Sequence, residues 1–276
     1  MLGNKMASVA VVLPERLRYD SLQQRKANGE ILYYEIFKWK MKYAPRNVHH
    51  FSDVSLSEEE RNTLNSWIRN VDDRGSCQRL QILFSFSVPC PQALEHILSL
   101  KLPVISAGAG NGYWEFLLQE RGADITAFDN NTVYPKDMRY IEIVDGSPSI
   151  LSDYADKALL LCWPDHEETC SFAVDCLRFY EGNTIIHVGE MFGETFSSNP
   201  WGQTTSRDFQ LQLGRHFRCV SRVQLPNWPG HMDSLTVWSR VSQSVECDGA
   251  DMVFVHLSNP RYFGWNQIPD HDKYSS

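Results

Sequence analysis

Apolar residues follow two regimes along this 276-residue chain. Near the start they recur at three- and four-residue intervals, and beyond residue 103 they come as short continuous runs separated by amphipathic stretches. In "ILYYEIFKWKMKY", Ile31, Tyr34, Phe37 or Lys38, and Met41 repeat at helical spacing, which predicts a helix with lysines on its wet face. Ser55 or Ser57 followed by "EEER" has the form of a capped helix start, and "DDRG" ends that helix. Residues 1–75 therefore read as a helical N-terminal extension. Pro89 and Pro91 interrupt the apolar run that follows, and a short helix resumes from Gln92 to Leu100.

The second regime predicts strands alternating with helices. "PVISA", "DITAF", "RYIEIVDG", "KALLLCWP" and "NTIIHVGE" read as strands, while "YWEFLLQERG" and "FAVDCLRFYEG" read as helices closed by Gly122 and Gly182. "FRCVSRVQLP" and "DSLTVWSRV" resemble a closing hairpin. This alternation predicts an α/β fold, a Rossmann-like, seven-stranded, mostly parallel sheet with an antiparallel hairpin at its end. The expected division is an extension over 1–75, a core over 76–245 and a C-terminal tail over 246–276.

Composition narrows the class. With 42% apolar residues the chain can bury a full core, and no apolar run reaches the roughly 18 residues of a membrane span. Seven cysteines with no CxxC pair argue against a disulfide framework or a zinc ribbon, so reduced thiols and a cytoplasmic or nuclear setting are expected, with no metal. The net charge of −8 conceals an asymmetry: residues 1–50 carry nine Lys/Arg against four Asp/Glu. Basic and aromatic residues together can grip nucleic acid, so the run from Ile31 to Tyr43 has two readings, a packed amphipathic helix or an RNA grip.

The candidate chemistry starts at "VISAGAGNGYW". Gly108, Gly110 and Gly112 stand between a predicted strand and a predicted helix, where glycine lets the chain turn sharply and a ligand lie against the backbone. A phosphate-cradling P-loop needs Lys-Ser/Thr after its last glycine, and "YWE" follows instead. A dinucleotide fingerprint needs its third glycine at position 113, which is Tyr113. The spacing G-x-G-x-G fits an S-adenosylmethionine loop best, and Asp129 at the end of the next strand is placed to accept from two ribose hydroxyls.

Through "VISAGAGNGYW" and the acid of "ITAFDN" the chain resembles the seven-stranded S-adenosylmethionine-dependent methyltransferases. It is more similar still to a methyltransferase-like group sharing "GAGxGYW", an "LLLxWP" strand end, a "GNTIIHVGE"-like strand and an "LPxWPGxxDxLTVW"-like hairpin. The resemblance covers roughly residues 80–240. It implies that Gly108, Gly110 and Gly112 line the methionine part of S-adenosyl-L-methionine, that Asp129 holds the ribose, and that Asp145 lies near the adenine. The family has Glu or Asp two residues before the first glycine, where it helps hold the cofactor's ammonium; this chain has Ser106.

On the acceptor side, "CWPDHEE" follows the fourth predicted strand, where open α/β sheets place their ligands. Cys162 and Asp165 fit the aminomethylating D/N-P-P-aromatic motif badly, and no cysteine has the arginine six residues on that a tyrosine phosphatase needs. The favoured reading makes Trp163 a wall of the acceptor pocket and has Asp165 or His166 orient or deprotonate the nucleophile. Asp165 could instead cap a helix beginning near Glu167. Glu190 at the fifth strand end is a second positioning candidate, whereas His187 inside that strand reads as a core histidine. Trp228, His231 and Asp233 share a tight loop that either closes over an acceptor or turns the hairpin.

Three functions follow as expectations. The first is methyl transfer to a nitrogen or oxygen of a small molecule or a protein side chain, consistent with the acidic body of the chain. The second is RNA methylation using the basic aromatic segment. The third is a non-catalytic binding module that keeps the fold. For any methyltransferase, the extension is expected to fold over the carboxyl edge of the sheet and complete the acceptor pocket.

Overall fold

The computed structural model describes residues 12–27, 30–45, 48, 55–70, 77–165 and 169–244. His166, Cys247 and the expected tail over 246–276 lie outside them. Seven strands form one sheet: β1 (Val104–Ala107), β2 (Ile125–Asp129), β3 (Val144–Asp145), β4 (Ala158–Cys162), β5 (Thr184–Gly189), β6 (Phe217–Gln224) and β7 (Ser234–Arg240). Their order is β3-β2-β1-β4-β5-β7-β6. β1 pairs in parallel with β2 and β4, β2 with β3, and β4 with β5. β7 runs antiparallel between β5 and β6. All four residues of β1 are buried, as its continuous apolar run requires of a central strand covered on both faces.

Eight α-helices accompany the sheet among the described residues: α1 (Leu22–Lys26), α2 (Leu32–Met41), α3 (Glu58–Arg69), α4 (Cys77–Leu83), α5 (Pro91–Ser99), α6 (Tyr113–Gln119), α7 (Phe172–Phe179) and α8 (Arg207–His216). Ser57 starts α3 with a reciprocal box, its hydroxyl accepting from the Glu60 amide while Glu60 accepts from the Ser57 amide.

Three elements depart from the sequence reading. The third strand is only two residues long, because Tyr140 is drawn out of line: its amide donates to the Asn111 carbonyl, and its hydroxyl donates to the Leu83 carbonyl and accepts from Arg25. α4 replaces the start of an apolar run, and α8 occupies a stretch that carries no helical reading above.

The extension shares the core of the sheet domain. Tyr33 and Ile36 are fully buried and belong to one apolar cluster with Phe84, Tyr113, Leu160 and Trp228. Phe37 meets Trp228 edge-on at 4.9 Å, and Tyr33 stacks on Phe84 at 5.1 Å. The Trp228 indole donates to the Tyr33 hydroxyl at 2.9 Å. Because Ser234 pairs with Gly189, the loop carrying Trp228 lies at the carboxyl edge of β5, and α2 packs there. Trp39 is buried as well, and Lys38 pairs with Glu35 across one turn. Burial of Tyr33, Phe37 and Trp39 removes their rings from any base-stacking role and supports the packed-helix reading.

Candidate functional site

The parallel strands deliver their carboxyl ends to one rim, where β1, β2, β4 and β5 end at Ala107, Asp129, Cys162 and Gly189. Gly108, Gly110 and Gly112 all adopt left-handed backbone, at φ +70°, +59° and +79°. Such values are uncommon for residues with a Cβ, so the loop needs its glycines for conformation as well as for room. A Cβ on Gly108 would come within 2.9 Å of the Phe172 ring, and one on Gly112 within 2.7 Å of Ile141. On Gly110 it would meet Tyr134 at an ordinary 3.4 Å.

Asp129 reaches across from β2 to brace this loop. One carboxylate oxygen accepts from the Gly110 amide and the other from the Asn131 amide, both at 2.9 Å. A carboxylate has about four acceptor positions, so capacity for two further donors remains. Asp145 sits beside it in the register of β3 and is exposed.

A pocket of about 90 Å³ opens over the loop, continuous with solvent at its mouth. Its floor is Gly108 to Asn111, and one wall is Tyr113, Trp114 and Glu115 from the start of α6. Phe84 to Phe86, Tyr134, Cys162 and Trp163 complete it. Ser106 is buried beneath the loop and donates its hydroxyl to the Glu115 carboxylate at 2.6 Å. Burial, with the nearby Asp129 charge adding to it, pushes Glu115 up to about 7. Burial likewise holds the Cys162 thiol well above its usual range, so it is no thiolate nucleophile.

Trp163 borders the pocket in a left-handed conformation, φ 49°, rare for a bulky residue. Three contacts hold it there. Its amide donates to the Val188 carbonyl at 2.9 Å, its indole donates to Asp233 at 3.0 Å, and its ring stacks on Phe86 at 5.0 Å. Asp233 is buried, also accepts from the Ser87 hydroxyl at 2.8 Å, and is pinned at its own backbone by Asn227. His231 lies against the same indole, its ring 5.6 Å away.

The other two acceptor-side candidates are placed differently. Asp165 is buried and is not among the residues lining the pocket; one of its oxygens accepts from the Ala173 amide, in the first turn of α7, at 3.4 Å. The helix start near Glu167 that the sequence reading has Asp165 cap lies outside the described residues; the bond goes instead to α7, whose N-cap residue is Ser171. Glu190 is also buried and outside the lining set. It ties loops together, accepting from the Thr195 hydroxyl and the amides of Gln203 and Met232. His187 is wholly buried, and burial lowers it to about 3, so it is a neutral core residue.

Glu115 has no role in the sequence reading, and Asp233 enters it only as one of three residues in a loop with two readings. The available signal for Glu115 was an acid inside the otherwise apolar "YWEFLL", following a loop whose usual acid is replaced by Ser106. Asp233 carries a pH test. Burial pushes it up to about 6, against the lowering effect of the bonds from Ser87 and Trp163. A carboxyl raised in the folded state contributes stability that is full below its unfolded value, about 4, and is lost as pH rises through about 6. Asp233→Asn is therefore expected to melt close to wild type near pH 4 and above it near pH 8. A difference in melting temperature that stays constant over that range would show that this titration is not linked to folding.

No family model matches the chain, and no curated protein matches it. Among solved structures it is similar to a Burkholderia thailandensis 1,6-didemethyltoxoflavin-N1-methyltransferase with bound 1,6-didemethyltoxoflavin and S-adenosylhomocysteine. That match is 14% identical over 76% of this chain and 89% of the other, with a TM-score of 0.39. It is also similar to a Pyrococcus abyssi tRNA (uracil-54, C5)-methyltransferase in complex with S-adenosyl-L-homocysteine. There the identity is 19% over 56% of this chain and 40% of the other, with a TM-score of 0.38. A glycopeptide N-methyltransferase complexed with S-adenosylhomocysteine is 12% identical over 54% and 86%, with a TM-score of 0.35. Likeness at this level carries no weight for the reaction, which has to be read from the site.

Proposed function

We propose that the chain is an S-adenosyl-L-methionine-dependent methyltransferase acting on a nitrogen or oxygen of a small molecule or a protein side chain. The observation that carries this reading is the left-handed loop of Gly108, Gly110 and Gly112, braced by Asp129 and opening onto a pocket at the carboxyl rim. The residues fit the cofactor: the glycines present backbone without Cβ atoms, and Asp129 keeps acceptor capacity for ribose hydroxyls. Asp145, next in register, stands on the side where the adenine would lie.

The cofactor supplies a methyl group on a sulfonium, and this transfer needs an in-line approach of the acceptor. What the chain provides is alignment and exclusion of water. Trp163, fixed by Asp233 and Phe86, forms the acceptor-side wall. No strong base is required, which accords with the neutral His187 and with the structural hydrogen bonds of Asp165 and Glu190.

The test is incorporation of labelled methyl from S-adenosylmethionine into fractionated metabolites, protein and RNA. Label in metabolites or protein is expected. Label confined to RNA would favour the RNA reading, and no label beside intact cofactor binding would favour a non-catalytic module. Asp165→Asn is expected to keep turnover, since an amide oxygen can still accept from Ala173. Lost turnover with unchanged cofactor affinity would move Asp165 to the acceptor rim.

A further inference from the structure

The acid that the resemblance places two residues before the first glycine is missing from β1, yet a carboxylate stands at the same loop. Ser106 is the third residue of β1, and Glu115 lies in the first turn of α6, three residues after the last glycine. The two elements flank the loop, and their side chains meet across it at 2.6 Å. Glu115 is 2% exposed, yet it lines the pocket together with Gly108, Ala109 and Gly110.

We propose that Glu115, oriented by the Ser106 hydroxyl, is the ammonium-binding group of the pocket and holds the amino-acid end of the cofactor. The inference rests on the methyl-donor reading above and assigns one of its contacts to a residue outside the usual position. Ser106 is too short to present a carboxylate itself, but its hydroxyl fixes one that arrives from the facing helix.

The electrostatics agree. A carboxylate buried without a cation is costly, and among the described residues no Lys, Arg or His pairs with Glu115. The ionisable groups that act on it or feel it are Asp129 from the end of β2 and Cys162 from the end of β4, and neither is a cation. An ammonium in the pocket would supply the missing positive charge through a charge-assisted hydrogen bond. A purely structural Glu115 would need only the bond to Ser106.

Two ligands separate these roles by calorimetry on the full chain. S-adenosylhomocysteine carries the amino-acid end, and 5′-deoxy-5′-methylthioadenosine shares the nucleoside but lacks it. Glu115→Gln is nearly isosteric and can keep the Ser106 contact. It is expected to weaken S-adenosylhomocysteine by about 10- to 100-fold while leaving methylthioadenosine within about twofold. Retained methylthioadenosine binding also reports that the variant is folded. In wild type near pH 7, binding of S-adenosylhomocysteine is expected to release a fraction of a proton, seen as a dependence of the heat on buffer ionisation; methylthioadenosine should show none. Equal affinity of the variant and wild type for S-adenosylhomocysteine, or an equal loss for both ligands, would overturn the assignment. Wild type that binds neither ligand would overturn the donor reading itself, and the assignment with it.

Discussion

Gly110→Val is expected to abolish binding of the methyl donor, by filling the place of its methionine part, in a chain that still folds. The backbone at Gly110 sits at φ +59°, where a Cβ costs about 1–2 kcal/mol and a branched one more. Its neighbour across the space is the Tyr134 ring at 3.4 Å, an ordinary contact, so the protein itself can accommodate the new carbon. The ligand cannot, because the added side chain fills the backbone surface on which the ligand must lie. A loss of at least 100-fold in affinity, with a melting temperature only a few degrees lower, is the expected result by calorimetry and thermal denaturation. Gly112 offers no such separation, since a Cβ there would collide with Ile141 at 2.7 Å and disturb packing directly. Normal binding by Gly110→Val would mean that the loop is not the cradle.

Deleting residues 1–50 is expected to destroy the folded state. The sequence reading has the extension cover the carboxyl edge and complete the acceptor pocket, whereas in the structure its described residues are part of the core. Leu17, Tyr33 and Ile36 are 0% exposed and pack in the same cluster as Phe84, Tyr113 and Trp228. Removing α2 would expose Trp228 and Tyr113, which support the loop before β7 and the first turn after the glycines. Phe37→Ala is the milder form of the same experiment and is expected to cost about 3–5 kcal/mol, the range for a buried aromatic. Urea denaturation checks both. A truncated chain that unfolds cooperatively with near-native stability would show that the extension is an independent layer. Although α2 lies at the carboxyl edge, none of its residues lines the pocket; it acts through Phe84, on which Tyr33 stacks.

What could be read from sequence follows from how each segment is buried. β1, β4 and β5 are central strands covered on both faces, so their apolar runs are continuous and nothing competes with the strand reading. β3 is an edge strand, and its predecessor Tyr140 is claimed by partners more than 50 residues away in Leu83 and Arg25, which no local pattern encodes. α8 is hidden for a different reason. Phe209, Leu211 and Leu213 alternate with glutamines in the period of a strand, yet the segment is helical and Gln210 is fully buried. The glutamine is tolerated because its amide donates to the Trp201 carbonyl and the Thr205 hydroxyl while its oxygen accepts from the Phe192 amide.

The site divides along the same line. The glycine loop and Asp129 are adjacent in the strand–loop–helix–strand unit, and local spacing was enough to bring them together. Glu115 became visible only once β1 and α6 were seen to face each other, and Asp233 only once a loop nearly 70 residues beyond Trp163 was seen to hold its indole.

The most direct test of the central claim is titration of the full-length chain with S-adenosyl-L-methionine by calorimetry, beside Asp129→Ala. Saturable binding at one site per chain is predicted. Asp129→Ala should weaken it by about 1.5–3 kcal/mol, because the variant loses both the ribose contact and the brace on the Gly110 amide. No saturable binding by wild type, or unchanged affinity in a folded Asp129→Ala chain, would contradict the account.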